Sequence, residues 1–350
     1  MIRYRIANIE DNQQLIDLTS ASSMKGDISL RIDRKPNFFK LLEMRGESTV
    51  FVAVDNHAII GCICVSLQEV YVNKQIFPML YIGDFKVLES YRNKGVGLNL
   101  CNELADYILS TKVDLAFFNF SKGNNKPVSF FKGRPNIPDS ENIGVFKIHQ
   151  FIGKRKITIN SKLKIEKTPI TDELVQFLNV HYSNYELGSV IKKEKLEGTT
   201  NYIIRNNFKI ISAMCLIDTM DVKQNIVMKL SWKMKNLLQL INSFKSFFGI
   251  TKMPILNKPV KMIYVKYLAV NNNEKDMVKV LINHARNIVF QKEYSFVSIG
   301  LHEKDPLNYS FKGLLKLTFN SVGMLSSIKN NKNLIQQVKQ GIPFEDYSLV

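Results

Sequence analysis

The stretch of this chain best equipped for chemistry is Arg92-Asn93-Lys94-Gly95-Val96-Gly97. Two glycines two positions apart let the backbone approach a phosphate closely and adopt torsions closed to other residues. Arg92 and Lys94 add positive charge. The run before the turn, Gln75–Leu88, reads as a strand, and the apolar spacing after it predicts an amphipathic helix over Gly95–Ser110. A strand–turn–helix of this kind turns the free N–H groups of the first helical turn toward an anion, and the helix dipole favours negative charge there. The spacing is neither Gly-x-Gly-x-x-Gly nor a loop ending in Gly-Lys-Ser/Thr, so a dinucleotide fingerprint and a P-loop are both excluded.

The elements that must hold this loop can be read from the same sequence. The chain has 350 residues, 45% of them apolar, which suits two domains with sizeable cores. In the first half the order is β, α, α, β, β, β, α, β, α, β. Thr49–Val54, Ile59–Val72 and Gln75–Leu88 form successive antiparallel strands, turning at Asp55-Asn56-His57 and Asn73-Lys74. Three antiparallel strands ahead of the helix exclude an alternating Rossmann wind. A strand over Leu115–Phe120, a short helix over Pro127–Lys132 and a strand over Ile143–Ile159 complete this half. The second half repeats the order in blurred form: Thr171 caps a helix to Tyr182, strands cover Lys209–Ile217 and Lys261–Val270, and a helix covers Glu274–Phe290. The expected fold class is α+β (mixed α/β), with domains 1–155 and 156–350. Residues 326–350 read as a polar run along the surface.

Composition narrows the setting. The N-terminal residues lack the apolar core of a secretory leader, and no uncharged apolar run is long enough to cross a bilayer, so the expected location is cytoplasmic. Cys62, Cys64, Cys101 and Cys215 have no zinc-like spacing and read as reduced core thiols; no metal site is expected. His57, His149, His181, His284 and His302 share no local pairing. The net charge of +17 is concentrated in the second half, and Val222–Asn273 carries nine lysines and no acid. A basic surface attracts nucleic acid or anionic lipid. Arginine is scarce there, with only Arg205 and Arg286 after position 155, which weakens a nucleic-acid reading.

Residues 79–131 resemble the GNAT superfamily, the Gcn5-related N-acetyltransferases. The family pattern Arg/Gln-x-x-Gly-x-Gly/Ala is met by Arg92, Gly95 and Gly97, and its wider form by Val87 and Tyr91; Glu89 replaces the usual proline. The resemblance implies that Arg92, Asn93, Lys94, Gly95, Val96, Gly97 and Leu98 hold the pyrophosphate of acetyl-CoA or another acyl-CoA. It implies that Phe85, Lys86 and Val87 bind the pantetheine arm, and that the fold splays between its fourth and fifth strands. A second family block aligns with Asn124-x-x-Pro127-x-x-Phe130-Phe131. Asn124 matches the coenzyme-contacting asparagine, whereas Phe131 replaces the tyrosine that protonates the leaving thiolate in the family. The family's usual base positions are occupied by Gly83 and Asn119, which leaves Asp84 as the nearest carboxylate to serve as general base, through water.

The second half resembles the family in outline only, because Asn271-Asn272-Asn273-Glu274 stands where the phosphate loop belongs. It reads as a degenerate GNAT-like domain with a basic amphipathic insertion around 223–258. Within that insertion Leu237, Ile241, Phe244 and Phe248 recur at helical spacing, flanked by Lys233, Lys235 and Lys245. Such a helix can lie on a membrane, but the sequence favours a stripe packed on its own domain. The resulting expectation is an acyl-CoA-dependent N-acyltransferase acting on an amine of a small molecule or sugar. Two rivals remain open: a CoA-binding sensor or scaffold with little turnover, and a basic membrane-surface or polyanion-binding module.

Overall fold

The computed structural model describes residues 1–21, 23–24, 28–124, 138–155, 163–271 and 274–350. The short helix expected over Pro127–Lys132, and Phe131 with it, lie outside the described residues.

The first half runs β1 (Arg3–Ile6), α1 (Asn12–Ser20), β2 (Ser23–Met24), β3 (Ile28–Asp33), α2 (Lys40–Glu43), β4 (Glu47–Asp55), β5 (Ala58–Val72), β6 (Gln75–Val87), α3 (Val96–Ser110), β7 (Leu115–Ser121) and β8 (Ser140–Ile152). The second runs β9 (Ile165–Thr168), α4 (Asp172–Tyr182), β10 (Gly188–Ser189), β11 (Thr199–Asn206), β12 (Lys209–Asp218), β13 (Gln224–Leu230), α5 (Trp232–Phe248), β14 (Met262–Val270), α6 (Lys275–Gln291), β15 (Phe296–His302), β16 (Lys316–Ser327) and α7 (Lys332–Gln340). Local chemistry sets several boundaries. Asn56 and His57, then Asn73 and Lys74, take positive φ in pairs, the geometry of tight turns that match strand twist. The Thr171 hydroxyl accepts the Leu174 N–H at 3.2 Å and starts α4.

One mostly antiparallel sheet carries both halves, in the order β1-β4-β5-β6-β7-β16-β8-β15-β14-β12-β11-β9. The expected mixed α/β class and the expected splay are both present. β6 pairs parallel with β7 only through Met79–Tyr81, and β14 pairs parallel with β15 only through Met262–Tyr264. In each half the two strands then diverge.

Two features depart from the sequence reading. The halves exchange strands: β16 lies between β7 and β8, and β8 pairs on its far side with β15. The division at 155/156 therefore does not coincide with a break in the sheet. The insertion is also tied to the first half, because β13 pairs antiparallel with β3 in a separate small sheet.

The expected surface run over 326–350 is the clearest correction. α7 buries Leu334, Ile335 and Val338, and the tail after it is a core element. Phe344, Tyr347 and Leu349 are buried, and so are Glu345 and Asp346. The acids tolerate burial because cations meet them. Arg45 binds Glu345 at 2.8 Å and also donates to the Leu349 carbonyl, while Lys266 stands 3.7 Å from Asp346. Removing one member of a buried ion pair leaves an uncompensated charge and costs about 3–5 kcal/mol. Glu345→Gln is accordingly expected to lower unfolding stability by several kcal/mol in urea titrations, whereas a loss within about 0.5 kcal/mol, the scale of ordinary surface changes, would show that the tail is not a core element.

Candidate active site

The site is built on the diverging end of β6. Past Tyr81 that strand keeps its pairing with β5 but loses β7, so along Ile82–Val87 the two strands part and leave a cleft between them. A register shift between Cys62 and Cys64 marks a bulge in this region, where Asp84 takes φ +47 and its carbonyl accepts the Cys62 thiol at 3.2 Å. A bulge re-aims backbone groups that a regular ladder would consume. Phe85, Lys86 and Val87 sit half-buried along the cleft edge.

The chain leaves β6 through a single 3-10 turn, Glu89–Tyr91, and the Tyr91 hydroxyl donates to Asp55 at 2.9 Å. Arg92 is anchored from behind, its Nε donating to the Val87 carbonyl at 3.2 Å. Asn93 at φ +61 and Gly95 at φ +80 then turn the backbone into α3. A Cβ on Gly95 would meet nothing within 4 Å, so the torsion, not crowding, demands glycine. α3 starts with no side-chain cap and no acidic residue in its first turn. The N–H groups of Val96, Gly97 and Leu98 are therefore left for another acceptor, beside exposed Arg92, Asn93 and Lys94. Asn124 is exposed just past the end of β7.

Asp84, the carboxylate expected from the sequence to serve as general base, is held by two cations. Its carboxylate is ion-paired to Arg34, and to Lys86 at 2.5 Å. Burial by itself would raise its pKa, but Arg34 and Lys86 outweigh burial and hold the carboxyl well below the usual aspartate range. Arg34 comes from the segment after β3 and is only 5% exposed, yet its Nε and Nη1 have no hydrogen-bond partner among the described residues. Gly83 lies against the Tyr81 ring, where a Cβ would approach Cε1 to 2.8 Å. A larger residue at this position would require the Tyr81 ring to shift. Asn119 donates to the Tyr81 hydroxyl at 3.5 Å, and burial pushes that phenol up to about 12.

Sequence reasoning missed Arg34, Tyr81, Arg45 and Lys223 as neighbours of this region. Arg45 stacks over Tyr81 with 3.5 Å from guanidinium carbon to ring centroid. Lys223 is buried, donates to the Val350 carbonyl at 2.7 Å, and is pulled down to about 7 by burial. None of these four has a local signature, since each acquires its role from elements far away in sequence.

The counterpart cleft in the second half is filled by the chain itself. The Tyr182 hydroxyl accepts the Leu268 N–H at 2.9 Å and donates to the Leu268 carbonyl at 3.3 Å. Phe344 packs on Tyr267 of β14, and Tyr347 presses on β15 so closely that a Cβ on Gly300 would meet it at 2.1 Å. The sequence leading to α6, Asn271-Asn272-Asn273-Glu274, contains no glycine, and Asp276 puts a negative charge in the first helical turn. The four cysteines are buried thiols, and no group of metal-ligating side chains occurs among the described residues.

Residues 14–133 match the acetyltransferase (GNAT) family. A search of curated protein sequences gives no match. Among solved structures, N-myristoyltransferase of Saccharomyces cerevisiae with bound myristoyl-CoA is similar at a TM-score of 0.63 and 10% identity, over 93% of this chain and 78% of that one. A GCN5-related N-acetyltransferase from Anabaena variabilis is similar at 0.55 and 12% identity, over 94% of this chain and 73% of that one. A probable N-acyltransferase from Enterococcus faecalis is similar at 0.54 and 9% identity, over 94% and 73%. Residues 14–133 thus match the acetyltransferase (GNAT) family model, and the chain as a whole shares the fold of these solved structures.

Proposed function

We propose that this protein is an acyl-CoA-dependent N-acyltransferase, with acetyl-CoA as donor and the amine of a small molecule or sugar as acceptor, working in the cytoplasm. The observation that carries the reading is the uncapped start of α3, entered through left-handed Asn93 and Gly95 at the mouth of the open β6–β7 cleft. In this reading the N–H groups of Val96–Leu98 with Arg92 and Lys94 hold the pyrophosphate. Phe85–Val87 run beside the pantetheine arm, and Asn124 contacts the coenzyme from the other wall. A backbone N–H at the bulge polarises the thioester carbonyl. The amine then attacks directly: a C–N bond forms, the C–S bond breaks, the amine loses a proton and the coenzyme thiolate gains one.

Asp84 is not the general base in this reading. A carboxylate held ionised by two cations has too little proton affinity to accept from an amine. Its role is to hold Arg34 and Lys86 in place. Proximity and fixed dipoles supply the acceleration instead. Gly83 and Asn119 favour a second reading, a CoA-binding protein with little turnover. The likeness to a myristoyl-CoA-bound structure motivates a further question, whether the acyl chain is long.

Titration calorimetry with CoA, acetyl-CoA and myristoyl-CoA separates these readings, followed by thiol-release assays on a panel of amines. Acetyl-CoA and CoA are expected to bind alike, with thiol released on adding the right amine. Failure of all three to bind would sink the CoA reading; binding without release across the panel would favour the sensor. Gly95→Val forces a branched residue to positive φ, so coenzyme affinity should fall by about tenfold, about 1.4 kcal/mol, with the circular dichroism unchanged. Unaltered affinity would remove the loop from the site.

Asp84→Asn is expected to lower stability by about 3 kcal/mol at pH 7, because Arg34 and Lys86 lose their shared partner. The native pKa lies below the ordinary 3.8, so this contribution is fully present above that value and is lost as pH falls below it. The wild-type advantage in urea titrations should shrink between pH 4 and pH 2; an advantage that is flat across that range would contradict the ion-paired assignment.

A further inference from the structure

The helix α5 has two apolar faces and packs only one of them. Ser231 caps its start and Gly249 at φ +57 ends it. Toward the protein, Leu238 is buried, and Met234 and Ile241 join the cluster that includes Val227, Ile250 and Leu30. On the solvent side, Leu237 is 44% exposed, Leu240 57%, Phe244 50%, Phe247 84% and Phe248 57%. At 3.6 residues per turn these five fall within an arc of roughly 100°, beside the packed arc rather than on it. The stripe that the sequence favoured as packed is therefore largely free. Scattered exposed apolar residues are ordinary, but five on one helical arc form a patch of the kind that marks an interaction surface.

The charge of the same segment says what the patch meets. Lys229, Lys233, Lys235, Lys252, Lys258 and Lys261 are exposed, and none of them has an acidic partner among the described residues. Val222–Asn273 contains no acid at all. Lysine is a flexible point charge whose stem can lie along apolar surface while its head reaches a phosphate layer. No helix of the described residues is long and apolar enough to cross a membrane, and α5 keeps a polar arc of Lys235, Gln239, Asn242 and Ser246.

We propose that α5 lies in the interface of an anionic membrane, with Leu237, Leu240, Phe244, Phe247 and Phe248 inserted among the acyl chains and the surrounding lysines on the headgroups. Charge complementarity selects this occupant: an exposed apolar helix face in a segment rich in exposed lysines and free of acids suits a negatively charged bilayer, which offers hydrocarbon and phosphate together.

The chain contains its own reporter, because its single tryptophan, Trp232, stands at the start of α5 and is 75% exposed. The experiment adds vesicles of phosphatidylcholine, alone or mixed with phosphatidylglycerol, to the full-length protein. Trp232 emission is followed, and the bound fraction is measured by co-sedimentation. Mixed vesicles are expected to shift the emission to shorter wavelength and pellet the protein; phosphatidylcholine alone should do neither. Phe244→Ser with Phe247→Ser should reduce the partition coefficient by about tenfold or more. Lys233→Gln with Lys235→Gln should reduce it on anionic vesicles, and so should added salt. Circular dichroism and CoA binding of these variants should stay unchanged, since all four side chains are exposed. Absence of both shift and pelleting with mixed vesicles would overturn the proposal. Concentration-dependent dimerisation that the Phe variants abolish, without vesicle binding, would assign the face to a second copy and overturn it. So would pelleting that the Lys variants abolish and the Phe variants leave intact, which would be surface electrostatics without insertion.

Discussion

The exchange of β16 and β8 between the halves is the constraint on which the rest of the structure depends. β16 pairs with β7 across Ser321–Ser327 and with β8 across Lys316–Ser326. Without it, β7 would be an edge strand, and β7 and β8 would have no strand joining them. With it, one sheet runs through the molecule, and the backbone hydrogen bonds of either half are completed by the other. The orientation of the diverging strands β6 and β7, and hence of the open cleft, is fixed by a strand made more than 190 residues later in the chain.

The sheet has two such splits, and the tail explains why they differ. Both β6 and β14 are bulged where they leave their parallel partners, at Asp84 and near Lys266. In the first half the freed backbone faces a cleft whose floor ends at an uncapped helix. In the second, Tyr182 takes the backbone groups of Leu268, and Phe344 and Tyr347 occupy the space. A cleft with satisfied polar groups and aromatic filling is a core, so the second half contributes rigidity and the wall against which the tail packs.

Buried charge at the junction follows the same division. Arg45 with Glu345, Lys266 with Asp346 and Arg34 with Asp84 each bring together residues from separate parts of the chain. Such pairs add little net stability over apolar packing, but each is costly to break, so they penalise any arrangement in which the halves or the tail are misplaced. Arg34 differs from the other two cations because two of its nitrogens stay unpartnered among the described residues.

The sequence by itself determined what depends on neighbours within a few residues. The glycines at 95 and 97, the Thr171 cap, the paired left-handed turns at Asn56-His57 and Asn73-Lys74, and the limits of α5 are all set by local torsions and by hydrogen bonds spanning three or four positions. The tertiary structure alone decided what depends on partners. A strand carries no mark of which edge it will join, so the place of β16 between β7 and β8 could not be read. Glu345 and Asp346 look solvated until Arg45 and Lys266 are brought to them, and so the tail was expected outside. The amphipathic pattern of α5 was plain, but periodicity shows only that apolar residues share a face, and the structure shows which side of that face the protein itself covers. The glycine turn ahead of α3 was legible because its torsions are local; the parting of β6 and β7 was expected only through the family resemblance, because no local signal marks where two strands stop pairing.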